Sequence, residues 1–363
     1  MKSLKIAFGL SIAAMLYFVL HCSSVNLGNE LNKRIVDPYD ATKEVPILYL
    51  TYRKINPKAV PSCSDSYYTS EKDSEGKFGI CSVNVPAMHE IGIIDYQNSG
   101  EANKYFQFKR FEYHSKDSFL KKVKGSSFPE IMVFVHGFNV RFEEAVLRAS
   151  QIQYDLKFPG LMVLFTWPAG SQDGMLNKLN IKKTYSFNQE NAKKSIPDLK
   201  NLLKELKTTG KKIHLIVHSM GHQIAIPALA ELSAEGEEKL LSELVLNAPD
   251  YDAGDFKRKA PALTKMSKRV TVYCSPGDNA LIISGQVNEN TRVGTCEKVT
   301  GVDMINVNPV DSPILGIGGL GHGYYSSRPI ITDLYQLILG IDASKRLFIR
   351  KSFTNNEDYV LRK

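Results

Sequence analysis

An apolar run that ends in a serine is the part of this chain best suited to chemistry. Residues 215–217 are apolar, His218 and Ser219 follow, and Gly221 comes two residues after the serine. A strand that turns sharply into a helix at such a serine exposes the hydroxyl, which can then attack a carbonyl. Gly221 leaves the room that the turn needs, whereas Val217 stands where the common G-x-S-x-G pattern has its first glycine. Alone, the run fits a plain strand-to-helix junction equally well.

A second apolar run, residues 131–135, ends in the turn His136-Gly137-Phe138. A His-Gly turn after an earlier strand can supply one amide donor to an oxyanion, and the residue after the nucleophile supplies the other. We therefore expect the amides of Phe138 and Met220 to form an oxyanion hole, since Gly137 lets the backbone come close. We expect four residues around these turns to contact the substrate: His136, Gly137, His218 and Trp167.

A histidine base and a carboxylate should follow the serine along the chain. His322, in a glycine-rich stretch, is the only histidine beyond position 222. Two aspartates follow apolar strand-like runs, Asp278 after residues 269–274 and Asp250 after residues 243–247. An acid at a strand end can hold the imidazole in the correct tautomer. The sequence favours Asp278 and leaves Asp250 and its neighbour Asp252 as alternatives.

The composition is that of a folded protein with one large domain or two ordinary ones. The chain has 363 residues, of which 43% are hydrophobic and 23% charged, close to average globular usage. The net charge is +8, but the lysines are dispersed and accompany no nucleic-acid-binding motif, so no nucleic-acid partner is expected. No cysteine or histidine spacing matches a zinc site, and we predict neither a metal nor a cofactor.

The N-terminus has the pattern of an export signal. Lys2 and Lys5 precede an uncharged, mostly apolar stretch, residues 6–20, and Cys22 follows it. Such a stretch is short for a membrane span and typical of a signal peptide. Residues 1–22 are predicted as a signal peptide with a lipobox, Cys22 as the lipidation site, and the protein as an exported lipoprotein facing the periplasm or the cell surface. A cleaved secreted protein and an uncleaved anchor are the alternatives.

Four further cysteines permit two disulfides in an exported protein. Pairing of near neighbours, Cys63 with Cys81 and Cys274 with Cys296, is the simplest of the three connectivities. The second pair would fasten the loop that carries Asp278.

The order of apolar runs predicts an α/β fold. Residues 23–44 are polar and read as a tether, and residues 45–345 as one domain followed by a tail, residues 346–363. Residues 56–78 read as a long polar loop, and residues 169–191 as a lid or insert over the site. Apolar runs that alternate with amphipathic segments predict a mostly parallel, doubly wound sheet with helices on both faces. The predicted strands are 45–52, 79–85, 104–113, 131–136, 161–167, 213–218, 243–247, 269–275 and 303–308.

Together these stretches resemble the α/β-hydrolase superfamily, and within it an uncharacterised bacterial group known mainly as a domain of unknown function. The resemblance covers about residues 45–330. It implies Ser219 as nucleophile, His322 as general base and an aspartate after a late strand. The matching stretches are Leu50-Thr-Tyr-Arg53, Phe78 to Pro86 with His89 and Gly92, Phe134 to Asn139, Phe165 to Pro168, His218 to Gly221, Asn247 to Asp250, and Gly321-His322 with Tyr324-Tyr325.

The expected activity is hydrolysis of a small carboxylic ester or a lipid through an acyl-enzyme. A protein that keeps this fold as a catalytically silent, surface-exposed binding scaffold is the alternative, because fold alone does not specify chemistry. A third interpretation shares the site and differs in substrate: a lipase or phospholipase held at the membrane by its lipid anchor.

Overall fold

The computed structural model describes residues 41–171, 181–308 and 322–362. Eleven strands in these residues form one sheet in the order β10-β11-β9-β8-β7-β6-β4-β5-β1-β2-β3. The strands are β1 (Lys43–Ile55), β2 (Tyr68–Val85), β3 (Gln107–His114), β4 (Glu130–Val135), β5 (Leu161–Thr166), β6 (Lys212–His218), β7 (Leu241–Asn247), β8 (Ser267–Cys274), β9 (Asp303–Asn306), β10 (Ile349–Lys351) and β11 (Tyr359–Leu361).

The sheet is mostly parallel. Seven strands from β1 through β5, β4, β6, β7 and β8 to β9 pair in parallel, and β11 continues the series beside β9. β2 and β10 are antiparallel to their neighbours β1 and β11. Since β4, β6, β7 and β8 run in the same direction, the segments that follow them meet at one edge of the sheet, where open α/β sheets place their sites.

Helices cover both faces of the sheet, which confirms the predicted fold class. Strand residues alternate between two cores: Ile131 and Val133 face one, and Met132 and Phe134 face the other. Helices α1, α3, α4, α5 and α6 line the first core, and α2, α7 and α8 the second. They are α1 (Lys116–Gly125), α2 (Phe142–Asp155), α3 (Ile181–Lys194), α4 (Ile196–Lys207), α5 (His222–Ala234), α6 (Ala253–Met266), α7 (Asn279–Asn288) and α8 (Arg328–Ile338).

Two segments differ from the sequence-based expectation. Residues 68–78, predicted as part of a polar loop, form the first half of β2, because Tyr68 and Lys72 pair with Ile55 and Arg53 of β1. Residues 346–363, predicted as a tail, contain β10 and β11. The mixed polar composition of both segments conceals strands that depend on a partner across the sheet.

Several predictions concern residues outside the described ranges. The signal peptide, Cys22 and residues 23–40 of the tether lie there, as do residues 172–180 of the predicted lid. Of that lid, residues 181–191 form most of α3. Within the described ranges, no helix is both long and apolar enough to cross a membrane.

The structure contains both local disulfides. Cys63 is bonded to Cys81 of β2, and Cys274, the last residue of β8, is bonded to Cys296. The second bond therefore ties the end of β8, four residues before Asp278, to a later loop.

Candidate active site

Ser219 lies at a strained turn between β6 and α5. β6 ends at His218, residues Ser219–Gly221 form one turn of 3₁₀ helix, and α5 begins at His222. Ser219 has a φ of 51°, a conformation uncommon for residues other than glycine. Such strain persists where the surrounding structure enforces it, and here it sets the serine at the carboxyl edge of the sheet.

His322 and Asp278 complete a hydrogen-bonded chain from Ser219. The His322 Nε2 atom lies 2.7 Å from Ser219 Oγ, and its Nδ1 atom lies 2.7 Å from Asp278 Oδ2. Asp278 is fully buried, and its other carboxylate oxygen accepts a hydrogen bond from the Leu281 amide at the start of α7, 3.1 Å away. Because a carboxylate only accepts, Nδ1 carries the hydrogen and Nε2 is left to accept the serine proton.

Asp250 is engaged elsewhere. Its carboxylate accepts hydrogen bonds from the hydroxyls of Tyr185 (2.9 Å) and Ser284 (2.6 Å) and forms an ion pair with Arg292 (3.1 Å). Asp252, the other alternative, caps α6 by accepting from the Asp255 amide. Of the three aspartates, Asp278 is the one that the structure brings to His322.

Gly137 lies directly against the serine. A Cβ atom placed on Gly137 would be 2.7 Å from Ser219 Cβ and 2.9 Å from His218 Nδ1, closer than real Cβ contacts. The absence of a side chain at Gly137 therefore lets the loop that carries Phe138 pass close to the serine. Met220 belongs to the first turn after β6, where amides lack a partner within the helix. The arrangement can offer two amide donors beside the serine.

His136 and Trp167 support this loop from behind. Both are buried, their rings are stacked with centroids 5.4 Å apart, and the Trp167 indole donates to the His136 carbonyl at 2.9 Å. Their expected contact with substrate does not agree with this burial. Burial, with the nearby charge of Arg53, lowers the pKa of His136 to about 3, so the imidazole is neutral at ordinary pH.

Two further histidines flank Ser219 in the chain. His218 is stacked on Tyr325 at 3.7 Å, and its Nε2 atom donates to the His322 carbonyl at 3.4 Å. His222 donates from Nδ1 to the Ser219 carbonyl at 2.6 Å. Burial lowers the pKa of His218 well below its ordinary value and that of His222 to about 3. Both rings are therefore neutral and hold the turn and the His322 backbone in place.

Two buried polar residues that were not among the predicted site residues hold the loops around the site. The Asn188 amide accepts from the Asn139 and Gly170 backbone amides at 3.1 and 3.0 Å. Arg53 donates to the carbonyls of Ala169 and Val140 at 2.7 and 2.9 Å. Arg53 belongs to a stretch that carries the family resemblance and Asn188 to the predicted lid, but nothing local in the sequence indicates which carbonyls and amides they reach.

Within the described residues, no group of three or more histidine, cysteine, aspartate or glutamate side chains is placed to hold a metal ion.

Comparison with known proteins gives one family and several structural likenesses. The sequence model of the family described as "Alpha/beta hydrolase of unknown function (DUF900)" matches residues 112–340. No curated protein sequence matches. Among solved structures, the monoclinic form of the Pyrobaculum calidifontis esterase is 11% identical, covers 85% of this chain and 88% of its own, and gives a TM-score of 0.33. A second structure of a hyperthermophilic esterase from that archaeon is 12% identical, covers 86% of this chain and 88% of its own, and gives a TM-score of 0.31.

Proposed function

This chain belongs to the family of alpha/beta hydrolases of unknown function, and we propose that it is a serine hydrolase of carboxylic esters or lipids. The observation that carries the proposal is the chain of two 2.7 Å hydrogen bonds from Ser219 through His322 to Asp278. A serine hydroxyl is a weak nucleophile unless a positioned base takes its proton. A binding scaffold needs no such arrangement.

In the proposed mechanism, His322 accepts the Ser219 proton at Nε2 while Ser219 Oγ attacks the carbonyl carbon. Asp278 holds the tautomer through Nδ1–H and stabilises the imidazolium that forms. The amides of Met220 and Phe138 hold the oxyanion, and loss of one such donor typically costs about 10²–10³ in rate. His322 then returns the proton to the leaving alcohol, and water attacks the acyl-enzyme with His322 again as the base.

The proposal is tested by labelling the full chain with a fluorophosphonate probe, which reacts with activated serines. We expect Ser219→Ala to lose labelling and ester turnover together. Ser284→Ala is the matched control, because Ser284 is also buried but bonds to Asp250 and not to an imidazole. Labelling that survives in Ser219→Ala, or a folded chain that never labels, would refute the activated serine and favour the silent binding scaffold.

We also propose that the protein is exported and lipidated at Cys22. The charged start, the short apolar stretch and the following cysteine support this, and two disulfides fit an oxidising compartment. The mass of the N-terminal peptide from cells distinguishes the three fates: a diacylated Cys22, an unmodified cleaved end, or a retained Met1.

A further inference from the structure

One helix beside the candidate site exposes an apolar face to solvent. In α7, Leu281 and Ser284 are buried, whereas Ile282, Ile283 and Val287 are 40%, 45% and 44% exposed. Helical spacing places these three on one side, since Ile283 and Val287 are four residues apart and Ile282 adjoins them. Single exposed apolar residues are ordinary, but a group of three on one short helix marks an interaction surface.

This helix also has no charged residue. Its ten residues, Asn279–Asn288, contain neither acid nor base. By contrast, α4 carries five charged residues in twelve: Asp198, Lys200, Lys204, Glu205 and Lys207. A solvent-facing helix without charge suits an environment less polar than water.

The apolar face adjoins the candidate active site. Asp278, which bonds His322, caps the first turn of α7. Helix α3 runs alongside, because Tyr185 bonds Ser284 at 3.0 Å and Gln189 bonds Asn288 at 3.2 Å. Phe138 of the proposed oxyanion loop contacts Tyr185, with ring centroids 5.7 Å apart. The two helices therefore form part of the rim of the site.

Lysines flank this rim. Four residues of α3 follow one another at spacings of three, four and four, so they share the side of α3 that faces α7: Lys182, Tyr185, Gln189 and Lys193. Both lysines are exposed, and neither has a carboxylate partner among the residues that the structure describes. Apolar side chains beside free lysines are complementary to a bilayer with anionic headgroups, which attracts the bases and accepts the apolar groups.

We propose that the outer face of α7, with Lys182 and Lys193 of α3, is a contact surface for an anionic phospholipid bilayer. Ile282, Ile283 and Val287 enter the interface, and the lysines meet the headgroups. The contact sets the rim of the Ser219 site on the lipid surface. It does not depend on the hydrolytic chemistry, so a chain with Ser219→Ala binds equally well and a failure of one proposal leaves the other testable.

The experiment places a fluorescent label on α7 of the full chain. Cys22→Ser leaves no free thiol besides Gln286→Cys, which is labelled; Val60→Cys, at a position 81% exposed, is the matched control. Vesicles of phosphatidylcholine and phosphatidylglycerol carry a nitroxide lipid quencher. We expect quenching of the label at residue 286 and not at residue 60. Because both labels share the same N-terminus, anchoring by residues 1–40 alone cannot produce this difference.

Two pairs of substitutions test the side chains. Ile283→Gln with Val287→Gln should lower vesicle partitioning about tenfold, since it removes two aliphatic side chains that enter the bilayer in the proposed contact. Lys182→Gln with Lys193→Gln should lower partitioning about tenfold or more on the anionic vesicles and leave it unchanged on phosphatidylcholine alone. The proposal is overturned if the vesicles quench the label at residue 286 no more than the label at residue 60. A change in the fluorescence of the label at residue 286 that grows with protein concentration in the absence of vesicles would instead assign the face to a second copy of the chain.

Discussion

At the scale of single residues, two buried aspartates near Ser219 have different partners. Asp278 meets an imidazole, at 2.7 Å, and the amide that starts α7. Asp250 meets a guanidinium and two hydroxyls. A carboxylate paired with Arg292 neutralises a buried charge, whereas one paired with His322 fixes the tautomer of a base. Substitution of Asp278 should therefore affect mainly activity, and substitution of Asp250 mainly stability.

We expect Asp278→Asn to lower kcat by about 10⁴, because an amide does not enforce the tautomer that leaves Nε2 free. Its free energy of unfolding should change little. Asp250→Asn is the control: it leaves Arg292 without its counter-charge, which costs about 3–5 kcal/mol of stability, while the folded fraction keeps most of its kcat. Steady-state ester hydrolysis and urea unfolding of both variants measure this. The reverse pattern would assign the acid to Asp250.

Much of the candidate site could be predicted because short turn motifs and the order of residues along the chain can be read directly from the sequence. The serine and histidine turns, and the sole histidine late in the chain, point to Ser219, Gly137 and His322. The choice of acid stayed open since Asp250 and Asp278 both follow apolar strands. Trp167 was misplaced for a physical reason: it follows a strand end near the site, but nothing local shows that its ring turns into the protein and stacks on His136.

At the scale of elements, the strands that were easiest to predict are those that contain a buried apolar run. β4, β6 and β7 are buried on both faces, so each of them includes a short stretch of consecutive apolar residues. The first half of β2 and the short β10 and β11 are polar or half-exposed, and they form because β1 and β9 supply partners. The end of β8 has a further constraint, the Cys274–Cys296 disulfide.

We expect replacement of Cys274 and Cys296 by serine to reduce both stability and activity. The bond joins residues 22 apart, and its loss should cost about 3 kcal/mol of unfolding free energy. It also frees the segment that carries Asp278, so kcat should fall in the folded protein. The matched control replaces Cys63 and Cys81, 18 residues apart, which should cost similar stability without changing kcat. Equal kcat in both double variants would show that the second bond does not position the acid.

At the scale of the whole molecule, buried neutral groups tie stability to pH. His136, His218 and His222 are all at most 6% exposed, and burial is the main cause that lowers each pKa below its ordinary value of 6.5. Below pH 6.5 the unfolded chain therefore binds a proton at each of the three histidines. In the folded chain, His136 and His222 bind theirs only at about pH 3. Their contribution is present above pH 6.5 and is lost as the pH falls.

Groups whose pKa is raised oppose them, among them the imidazole of His89, which hydrogen-bonds to Asp155, and the carboxyl of Glu243. Burial raises the pKa of Glu243 from 4.5 to about 7, so the folded form holds a proton that the unfolded form releases above pH 4.5. Its contribution is present at low pH and lost as the pH rises to 7. Because the three histidines outweigh Glu243 and His89 in this range, the free energy of unfolding should fall between pH 7 and about pH 5.5. Urea unfolding at the two pH values measures this difference.

Substitution of the opposing groups separates their contributions to this pH dependence. Glu243→Gln removes the opposing contribution of this carboxyl, so the variant should lose more stability between the two pH values than the parent chain does. His222→Gln keeps a donor for the Ser219 carbonyl and removes one titrating group, so its loss should be smaller. A parent chain whose unfolding free energy is unchanged or higher at the lower pH would mean that the histidines around Ser219 take up protons in the folded state. The neutral rings on which the turn depends would then be charged, and the positions assigned here to His218 and His222 would have to be solvated.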